Sequence, residues 1–498
     1  MGSYLEERTA RRRRLRKHLL LTLFITWWVA VGTWHSIKPM PPGTYVASGP
    51  IRVEPTDVAF LYDLTYADGL GQPRFEQRIF DEVMRIVDEA HGFIVADFFL
   101  LNELMGAAGD AHRPLSRELV ERLIARKQAQ PSLAVLFVTD PINDIYGGQH
   151  APLLDAMRAA GIDVVITDLT RLRDSNPLYS PFWRTFVQWW GNSDDGGALP
   201  NPFTSDPAPI TLRSWLALLN FKANHRKVIA ADRSDGSLVA LVTSANPHDA
   251  SSAHSNVALR VTGELVRELV ASEVAVARTS GWRGQLDVPP AATSSVEPTD
   301  GAIELRLLTE RAIREHLLAQ IDATRAGDAI ALAMFYLADR DIVEALLAAA
   351  ARDVQVRLVL DPNRDAFGRR KDGVPNRPVA NELVRESGGR IEVRWYRTHG
   401  EQFHTKLTLI RRGERFVASL GSANLTRRNL GNYNLETNVA LAASVRSPLA
   451  NEMQAYFDRL WNNEDEIELT APFGAYEDTS LGRYWRYRLM EATGLSTF

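Results

Sequence analysis

Two copies of a His-x-Lys pair occur in apolar, strand-like segments of this 498-residue chain: His225 with Lys227, and His404 with Lys406. On a strand, residues i and i+2 point to the same face, so each imidazole should lie beside an ammonium group. The chain has 57 Lys and Arg residues, but only seven are lysines. A single His-x-Lys is more often a packing accident than a site. The duplication in matched contexts makes these pairs candidates.

A Ser-x-Asn motif follows each pair at nearly the same distance. Ser244 and Asn246 follow the first pair, and Ser422 and Asn424 follow the second, with the asparagines 21 and 20 residues after the respective histidines. This spacing predicts a hairpin whose second strand brings a hydroxyl and an amide beside the histidine and the lysine.

A histidine, a lysine, a serine and an asparagine from each copy would suit chemistry at a phosphodiester. The lysines would offset the charge of the phosphoryl oxygens, and the serines and asparagines would donate hydrogen bonds to them. One histidine would attack phosphorus while the other protonates the leaving oxygen, and the second would then activate water or an alcohol. No metal or other cofactor is required, because the lysines supply the charge that Mg²⁺ or Zn²⁺ would otherwise provide.

The elements around these motifs repeat as well. Strand-like and helix-like patterns alternate along the chain, which is typical of an α/β protein. Segments 90–103 and 133–144 match segments 326–339 and 354–365. We therefore expect two copies of one α/β unit, packed about a pseudo-two-fold axis with equivalent residues face to face.

Each copy also has two aspartates at equivalent positions after a strand: Asp140 and Asp144 in the first, Asp361 and Asp365 in the second. Such carboxylates are potential metal ligands, but at a strand end they more often cap a turn or a helix, and we expect capping. The remaining histidines show no metal-ligand spacing. The absence of cysteine excludes thiolate ligands and a cysteine nucleophile.

The duplicated motifs resemble the HxKxxxxD…GSxN motifs of the phospholipase D superfamily, which includes phospholipases, cardiolipin and phosphatidylserine synthases, and some nucleases. The first copy has the family's aspartate as Asp232, whereas Arg411 stands at that place in the second copy. The second copy has the family's later glutamate as Glu436 in NLETNVAL, and the matching AHSNVAL of the first copy places His254 there. Each copy thus lacks one carboxylate, which should affect efficiency more than the type of chemistry.

This resemblance extends over about residues 55–465. It implies two tandem phospholipase D-like α/β domains related by a pseudo-two-fold axis. It also implies that the motif residues named above form one active site, with His225 as the nucleophile and His404 as the general acid.

An apolar segment near the N-terminus predicts a membrane anchor. From Leu19 to Ile37 there is no Asp, Glu, Lys or Arg, and roughly 20 such residues are enough to cross a bilayer as a helix. The basic flank before it should stay cytoplasmic in a bacterial inner membrane, which leaves the catalytic body in the periplasm. The alternative is a secreted protein whose signal peptide is cleaved near Ala30-Val31-Gly32.

The predicted organisation is a basic segment 1–17, a transmembrane helix 18–37, a stalk 38–54, a first domain 55–283, a linker 284–301, a second domain 302–465 and a C-terminal extension 466–498.

The first copy carries an insert of 42 residues, mostly at about 170–215. Several of its aromatic residues follow helical spacing, which is compatible with a cap packed on the body or with a lid that enters a bilayer or grips acyl chains. The large aromatic residues of the insert are Tyr179, Phe182, Trp183, Phe186, Trp189, Trp190, Phe203 and Trp215.

Two other segments are candidates for contact with anions or a membrane surface. The run Arg369-Arg370-Lys371 lies in a long loop and would either hold an anionic headgroup or be solvated. Segment 481–490 mixes aromatic residues with arginines, as interfacial helices do.

Charge separates the function classes. The net charge is −4, and because residues 1–17 carry +5, the remaining chain carries −9. Such a body argues against nucleic acid as a partner.

The sequence therefore predicts a membrane-anchored phosphodiesterase or phosphatidyltransferase that acts on phospholipid through a phosphohistidine, with no protein partner implied. The alternatives are a nuclease built on the same site and a non-catalytic lipid- or phosphate-binding relative. Hydrolysis and transfer stay open because only the second acceptor differs.

Overall fold

A computed structural model describes most of the chain as a mixed α/β protein with two large sheets. Residues 291–300 of the predicted linker and Phe203 of the insert lie outside the described part. The described residues are 2–104, 113–202, 208–290, 301–366, 369–464, 467–496 and 498.

The first half is built on an eight-stranded sheet with the spatial order β3-β2-β9-β8-β7-β4-β5-β6. Strands β4, β5 and β6 pair in parallel, and the other neighbours pair antiparallel. The strands of this part of the chain are β1 (Ile51–Val53), β2 (Val58–Ala67), β3 (Pro73–Glu76), β4 (Ala90–Phe98), β5 (Ala134–Thr139), β6 (Asp163–Ile166), β7 (Lys227–Arg233), β8 (Leu238–Thr243) and β9 (Asn256–Thr262).

The second half is built on a nine-stranded sheet with the order β1-β10-β18-β17-β16-β11-β12-β15-β19, and β13 and β14 form a separate ribbon. Strand β1 thus crosses from the first half to the edge of the second sheet. The strands of this half are β10 (Ile303–Thr309), β11 (Ala329–Met334), β12 (Gln355–Leu360), β13 (Asp365–Ala366), β14 (Arg369–Arg370), β15 (Ile391–Tyr396), β16 (Lys406–Arg412), β17 (Arg415–Gly421), β18 (Thr437–Ser444) and β19 (Thr470–Pro472).

The two sheets repeat one topology. The order β2-β9-β8-β7-β4-β5-β6 has its counterpart in β10-β18-β17-β16-β11-β12-β15, strand for strand. The duplicated α/β architecture predicted from the sequence is therefore confirmed. In this arrangement β7 and β16, the strands that begin at the two motif lysines, occupy equivalent central positions.

Helices flank the sheets, and one large apolar core joins them. This core includes Val242 and Leu259 of the first sheet together with Leu420 and Leu441 of the second, all essentially inaccessible to solvent. The helices are α1 (Gly2–Ile37), α2 (Ile79–Glu89), α3 (Leu115–Ala129), α4 (Pro152–Ala159), α5 (Ser180–Phe182), α6 (Leu212–Leu218), α7 (Glu264–Thr279), α8 (Arg311–Asp322), α9 (Arg340–Ala351), α10 (Asn376–Glu386), α11 (Arg427–Leu430), α12 (Pro448–Asn462) and α13 (Leu481–Thr493).

Backbone hydrogen bonds cross between the halves next to the motifs. Leu435 N donates to Ala223 O at 3.1 Å, and in the equivalent position of the repeat Ser255 N donates to Gln402 O at 3.1 Å; His225 N also donates to Leu435 O at 2.9 Å. These crossings fix each His-x-Lys strand against the opposite half, so the two motifs face one another.

Helix α1 joins the predicted basic segment and the predicted span into one helix. From Glu6 to Ile37 it is long and apolar enough to cross a membrane, and only 6% of its most apolar stretch is buried against the rest of the chain. Its C-terminal end is fixed to the insert. Asp174 N donates to His35 O at 2.8 Å, and the Trp27 and Phe186 rings lie 6.1 Å apart. The insert therefore lies where the chain leaves the apolar helix.

Candidate active site

Both motif histidines line one cavity of about 470 Å³, and residues of both halves form its wall. His225 and His404 each lie two residues before the first residue of β7 and of β16, so the strands begin at the motif lysines and the histidines stand just outside them. Each ring lies against a phenylalanine that directly follows the neighbouring antiparallel strand, β4 or β11. The His225 and Phe99 centroids are 4.9 Å apart, and those of His404 and Phe335 are 5.0 Å apart. The repeat thus delivers two imidazoles to one site in equivalent settings.

A side chain of the opposite half orients each histidine. The Nδ1 atom of His225 lies 3.0 Å from the Glu436 carboxylate, and that of His404 lies 3.1 Å from Asn256 Oδ1. Because Asn256 donates its own N–H to the His254 carbonyl, its oxygen accepts from His404. Both Nδ1 atoms therefore carry the proton in the neutral rings, and both Nε2 atoms keep a lone pair.

Burial keeps the histidines neutral in the absence of substrate. It lowers the pKa of His225 to about 4, against the raising effect of Glu436. Burial and then the Lys406 ammonium hold the pKa of His404 well below 6.5. Asn256 provides no carboxylate to offset this effect. The two otherwise equivalent histidines thus differ in electrostatic support.

The motif lysines are completely buried, and each donates to the carbonyl of its own histidine: Lys227 Nζ to His225 O at 2.7 Å, and Lys406 Nζ to His404 O at 2.9 Å. Burial lowers the pKa of Lys227 to about 7, and burial together with repulsion from Lys227 lowers the pKa of Lys406 well below its usual value. Neither lysine is among the residues that line the cavity, so each lies behind its own histidine, and an anion in the cavity would raise the pKa of both ammonium groups through space.

The motif serines brace the histidine partners, which corrects the expectation that they donate to phosphoryl oxygens. Ser422 Oγ donates to Glu436 and accepts from Thr437 N at 2.9 Å. Ser244 Oγ donates to Asn256 Oδ1 at 2.9 Å and accepts from Val257 N at 3.0 Å. Each hydroxyl is thereby committed within the protein, and each serine acts through another residue.

The motif asparagines do line the cavity. Asn246 Oδ1 accepts from Leu100 N at 3.3 Å, which leaves its amide N–H groups for a ligand. Asn424 occupies the equivalent place on the other half. These two side chains are the ones from the Ser-x-Asn motifs that can contact a phosphodiester.

The sheet register moves the counterpart of Glu436 from His254 to Asn256. Gly421 pairs with Asn438 across β17 and β18, and Thr243 pairs with Ala258 across β8 and β9. The shared letters NVAL instead aligned Asn438 with Asn256, two residues away from its structural counterpart Ala258. The segment between the motif serine and this strand is two residues shorter in the first half, and the matching letters hid that difference in length. His254 instead lies on the cavity wall, with its ring 5.7 Å from that of His404.

Asp232 does not reach the cavity, which corrects its assignment to the site. Its Oδ1 accepts from Gly92 N at 2.6 Å and from Phe93 N at 2.8 Å, where the pairing of β4 with β7 is interrupted by a bulge. In the second half β11 and β16 pair without a break, and Arg411 stands opposite Ala329. A bulge leaves N–H groups unpaired, so only the first half needs the carboxylate.

The paired aspartates position the histidines, a role that sequence reasoning missed. Asp140 caps the turn after β5, as expected, and its other oxygen accepts from Asn224 N at 2.7 Å. Asp361 likewise accepts from Phe403 N at 2.8 Å. Each aspartate thus holds the residue that directly precedes a motif histidine. Their equivalent placement in the two copies was the available signal.

A buried arginine network, also missed, supports Glu436. Arg226 lies between His225 and Lys227 and is fully buried, with ion pairs to Glu273 at 3.0 Å and to Glu310 at 2.7 Å. Glu310 in turn accepts from Glu436 N at 3.2 Å. The residue between histidine and lysine therefore ties the two halves together behind the site.

One group of potential metal ligands lies elsewhere. His150, Asp194 and Asp195 are exposed, and their ligand atoms lie within 4.8 Å of one another. None of the three lines the cavity, so this group is separate from the histidine site.

Comparison with known proteins agrees with this geometry. Residues 317–461 match the family model described as cardiolipin synthase, PLD-like domain. No curated protein matches the chain by sequence. Phosphatidylserine synthase from Haemophilus influenzae has a similar structure, with a TM-score of 0.56 and 9% identity over 94% of this chain and all of that one.

Two other structures overlap less well. Polyphosphate kinase from Porphyromonas gingivalis has a TM-score of 0.43 and 12% identity over 88% of this chain and 56% of that one. The phospholipase D family member Nuc from Salmonella typhimurium has a TM-score of 0.26 and 20% identity over 35% of this chain and 99% of that one. The family model confirms, for residues 317–461, the resemblance to the phospholipase D superfamily that the motifs predicted, and the fold over almost the whole chain is the one seen in phosphatidylserine synthase.

Proposed function

We propose that this protein is a phosphodiesterase or phosphatidyltransferase that acts on phospholipid through a covalent phosphohistidine. The observation that carries the proposal is the convergence of His225 and His404 on one cavity, each oriented through Nδ1 by the opposite half. Two imidazoles with free Nε2 atoms, two buried lysines and two amides are the groups that such a displacement needs.

The bound phosphodiester anion favours protonation of His404 at Nε2 from solvent. In the first step His225 Nε2 attacks phosphorus, and the His404 imidazolium donates that proton to the headgroup oxygen that leaves. The P–O bond to the headgroup breaks as the N–P bond forms. In the second step the neutral His404 takes a proton from water or from an alcohol, whose oxygen attacks phosphorus and releases His225. Water gives hydrolysis and an alcohol gives transfer. Lys227 and Lys406 offset the charge of the phosphoryl oxygens in both steps.

The nucleophile assignment is supported by the difference between the two orienting groups. A phosphorylated imidazole carries positive charge, and the Glu436 carboxylate beside His225 Nδ1 stabilises it. The neutral Asn256 beside His404 provides no such stabilisation, which makes that imidazolium the stronger acid. His225 therefore suits the covalent role, and His404 suits proton transfer.

Incubation of the full chain in detergent with a mixed phospholipid panel, with and without alcohol acceptors, tests the proposal directly. Mass spectrometry should detect phosphatidic acid in water, or an exchanged headgroup when an alcohol is present. A protein that binds the lipids and leaves all of them intact would be the non-catalytic relative.

The membrane is the proposed location of the substrate. We propose that α1 is an anchor with its N-terminus in the cytoplasm and the body outside. The insert divides into two parts: Trp183 is buried, whereas Trp189, Trp190 and Phe186 are 76%, 47% and 48% exposed. The exposed part lies beside the end of α1. None of the described aromatic residues of the insert lines the cavity, so contact with the bilayer is favoured over a grip on acyl chains within the site.

Replacing Phe186, Trp189 and Trp190 together by serine should weaken vesicle binding and slow the turnover of bilayer lipid. Moving one such ring from water to the interface contributes on the order of 1–2 kcal/mol, so we expect a loss of about tenfold or more in vesicle affinity. Hydrolysis of soluble bis(p-nitrophenyl) phosphate should persist. Vesicle co-sedimentation and both assays provide the measurement.

The matched control is Trp183→Ser, which changes a buried ring and should lower the melting temperature rather than vesicle affinity alone. If the triple variant lost both activities and thermal stability in parallel, the exposed aromatics would form a structural cap. Selective loss of single-stranded DNA cleavage would favour the nuclease.

A further inference from the structure

Cationic side chains line the cavity, and none of the lining residues in the described part of the chain is acidic. Apart from the histidines, its charged lining residues are Lys222, Lys371 and Arg428. Lys222 is already engaged, because its Nζ forms an ion pair at 2.7 Å with Asp174, a carboxylate that it shares with Arg184. Lys371 and Arg428 remain, both contributed by the second half.

Among the residues that the structure describes, no carboxylate accepts a hydrogen bond from the Arg428 side chain. Its Nη1 donates to the carbonyls of Phe221 at 3.2 Å and Ser496 at 2.7 Å, and its Nε has no partner. Glu491 attracts it through space but accepts its hydrogen bond from the backbone of Arg427. The guanidinium is therefore fixed by neutral carbonyls; burial lowers its pKa, and no ion pair within the described residues offsets its charge at the cavity wall.

Lys371 is held close to the general acid. Its Nζ donates to the Tyr336 hydroxyl and lies 5.9 Å from the centre of the Phe335 ring, the same ring that packs against His404 at 5.0 Å. The adjacent Arg370 is exposed and absent from the cavity wall. Of the basic run Arg369-Arg370-Lys371, the lysine thus belongs to the cavity.

The first half contributes different side chains to the cavity wall. Leu100, Ile142 and Leu218 provide apolar surface, next to uncharged polar residues such as Asn102 and Ser251. An amphiphilic phosphodiester would place its apolar part there and its headgroup toward the second half, where His404 is the proton donor.

From this arrangement we infer that Lys371 and Arg428 form a second anion subsite. It would bind a phosphate or carboxylate carried by the departing headgroup or by the incoming acceptor, while the scissile phosphate lies between the histidines. The location of the scissile phosphate rests on the proposed function. Two charge-assisted contacts, in a cavity with no acidic residue among its described lining, should make a ligand with two anionic groups bind more tightly than a ligand with one.

Calorimetric titration of the full chain in detergent with orthophosphate and with 1,3-propanediol bisphosphate tests the subsite. The native protein should bind the bisphosphate about tenfold or more tightly than orthophosphate. Lys371→Gln and Arg428→Gln should each abolish most of this advantage. The matched control Arg370→Gln removes a neighbouring exposed charge and should retain it. Because Arg428 is tightly packed, the half-exposed Lys371 provides the variant least expected to disturb folding.

Equal binding of the two ligands by the native protein, or an undiminished preference in Lys371→Gln, would overturn the subsite. Turnover is not needed for this result, so loss of the proposed chemistry and loss of the subsite are distinguishable. A protein that turned over no phospholipid but kept the bisphosphate preference would refute the proposed chemistry and leave the subsite standing.

Turnover then identifies the source of the anion. If the headgroup carries it, soluble dihexanoyl phosphatidylglycerol phosphate should be cleaved about tenfold more efficiently than dihexanoyl phosphatidylglycerol. If the acceptor carries it, transfer to glycerol 3-phosphate should exceed transfer to glycerol. In either case Lys371→Gln should remove the preference, and Arg370→Gln should keep it.

Discussion

His225→Ala and His404→Ala should each lower kcat for phospholipid by about a thousandfold or more, because one variant lacks the nucleophile and the other lacks its proton donor. His316→Ala is the matched control, since this partly buried histidine of α8 does not line the cavity. Near-native turnover by either motif variant would contradict a site shared by the two halves.

The same variants distinguish the roles when bis(p-nitrophenyl) phosphate is the substrate. Its leaving group needs no proton, so His404→Ala should still release one equivalent of p-nitrophenolate and then stall as the phosphohistidine. His225→Ala should form no adduct. Quench-flow and intact-protein mass spectrometry measure both outcomes. An adduct on His225→Ala, with none on His404→Ala, would reverse the assignment of nucleophile and acid.

Glu436→Gln should lower kcat by about a hundredfold, although no atom that contacts substrate is removed. The carboxylate accepts from three donors: His225 Nδ1, Ser422 Oγ and Asn429 Nδ2. A glutamine has one acceptor oxygen and would direct its own N–H groups at one of these donors. The imidazole would then lose its fixed orientation and the charge that stabilises the phosphohistidine. Circular dichroism melting should separate this loss from unfolding.

Asn256→Asp is the counterpart variant, and its readout is pH. A carboxylate beside His404 Nδ1 favours the imidazolium and raises its pKa. In the native protein the basic limb of kcat/KM should lie below pH 6.5, because burial lowers the pKa of both histidines. The variant should shift that limb to higher pH, whereas Glu436→Gln should not. An unmoved limb in Asn256→Asp would contradict the role of His404 as the acid.

The sequence predicted the two His-x-Lys pairs, the repeat and the apolar helix because each depends on local rules. The i, i+2 geometry of a strand places a histidine beside its own lysine wherever the strand lies. Matching segments in the same order along the two halves predict two sheets of the same topology, and the seven equivalent strands of the two sheets confirm this prediction. The asparagines and histidines of the motifs reach one cavity because the hairpin and the repeat deliver them there.

Contacts that cross between the halves could not be derived from these rules. A carboxylate orients His225 and an amide orients His404. The choice of these two partners depends on how the two sheets pack about their common core. The two-residue difference in the loops before Glu436 and Asn256 shifted the alignment, so similarity selected His254 instead.

The same limit explains the aspartates. Asp232 matches the family pattern, but its partners are the two N–H groups that a bulge in β4 exposes. Asp140 and Asp361 support the histidines through residues 84 and 42 positions away in the chain. The sequence by itself determined which chemical groups this protein has and on which strands they lie. The tertiary structure decided which of them share a cavity and which hold the others in place, because those distances are set by packing between elements remote in sequence.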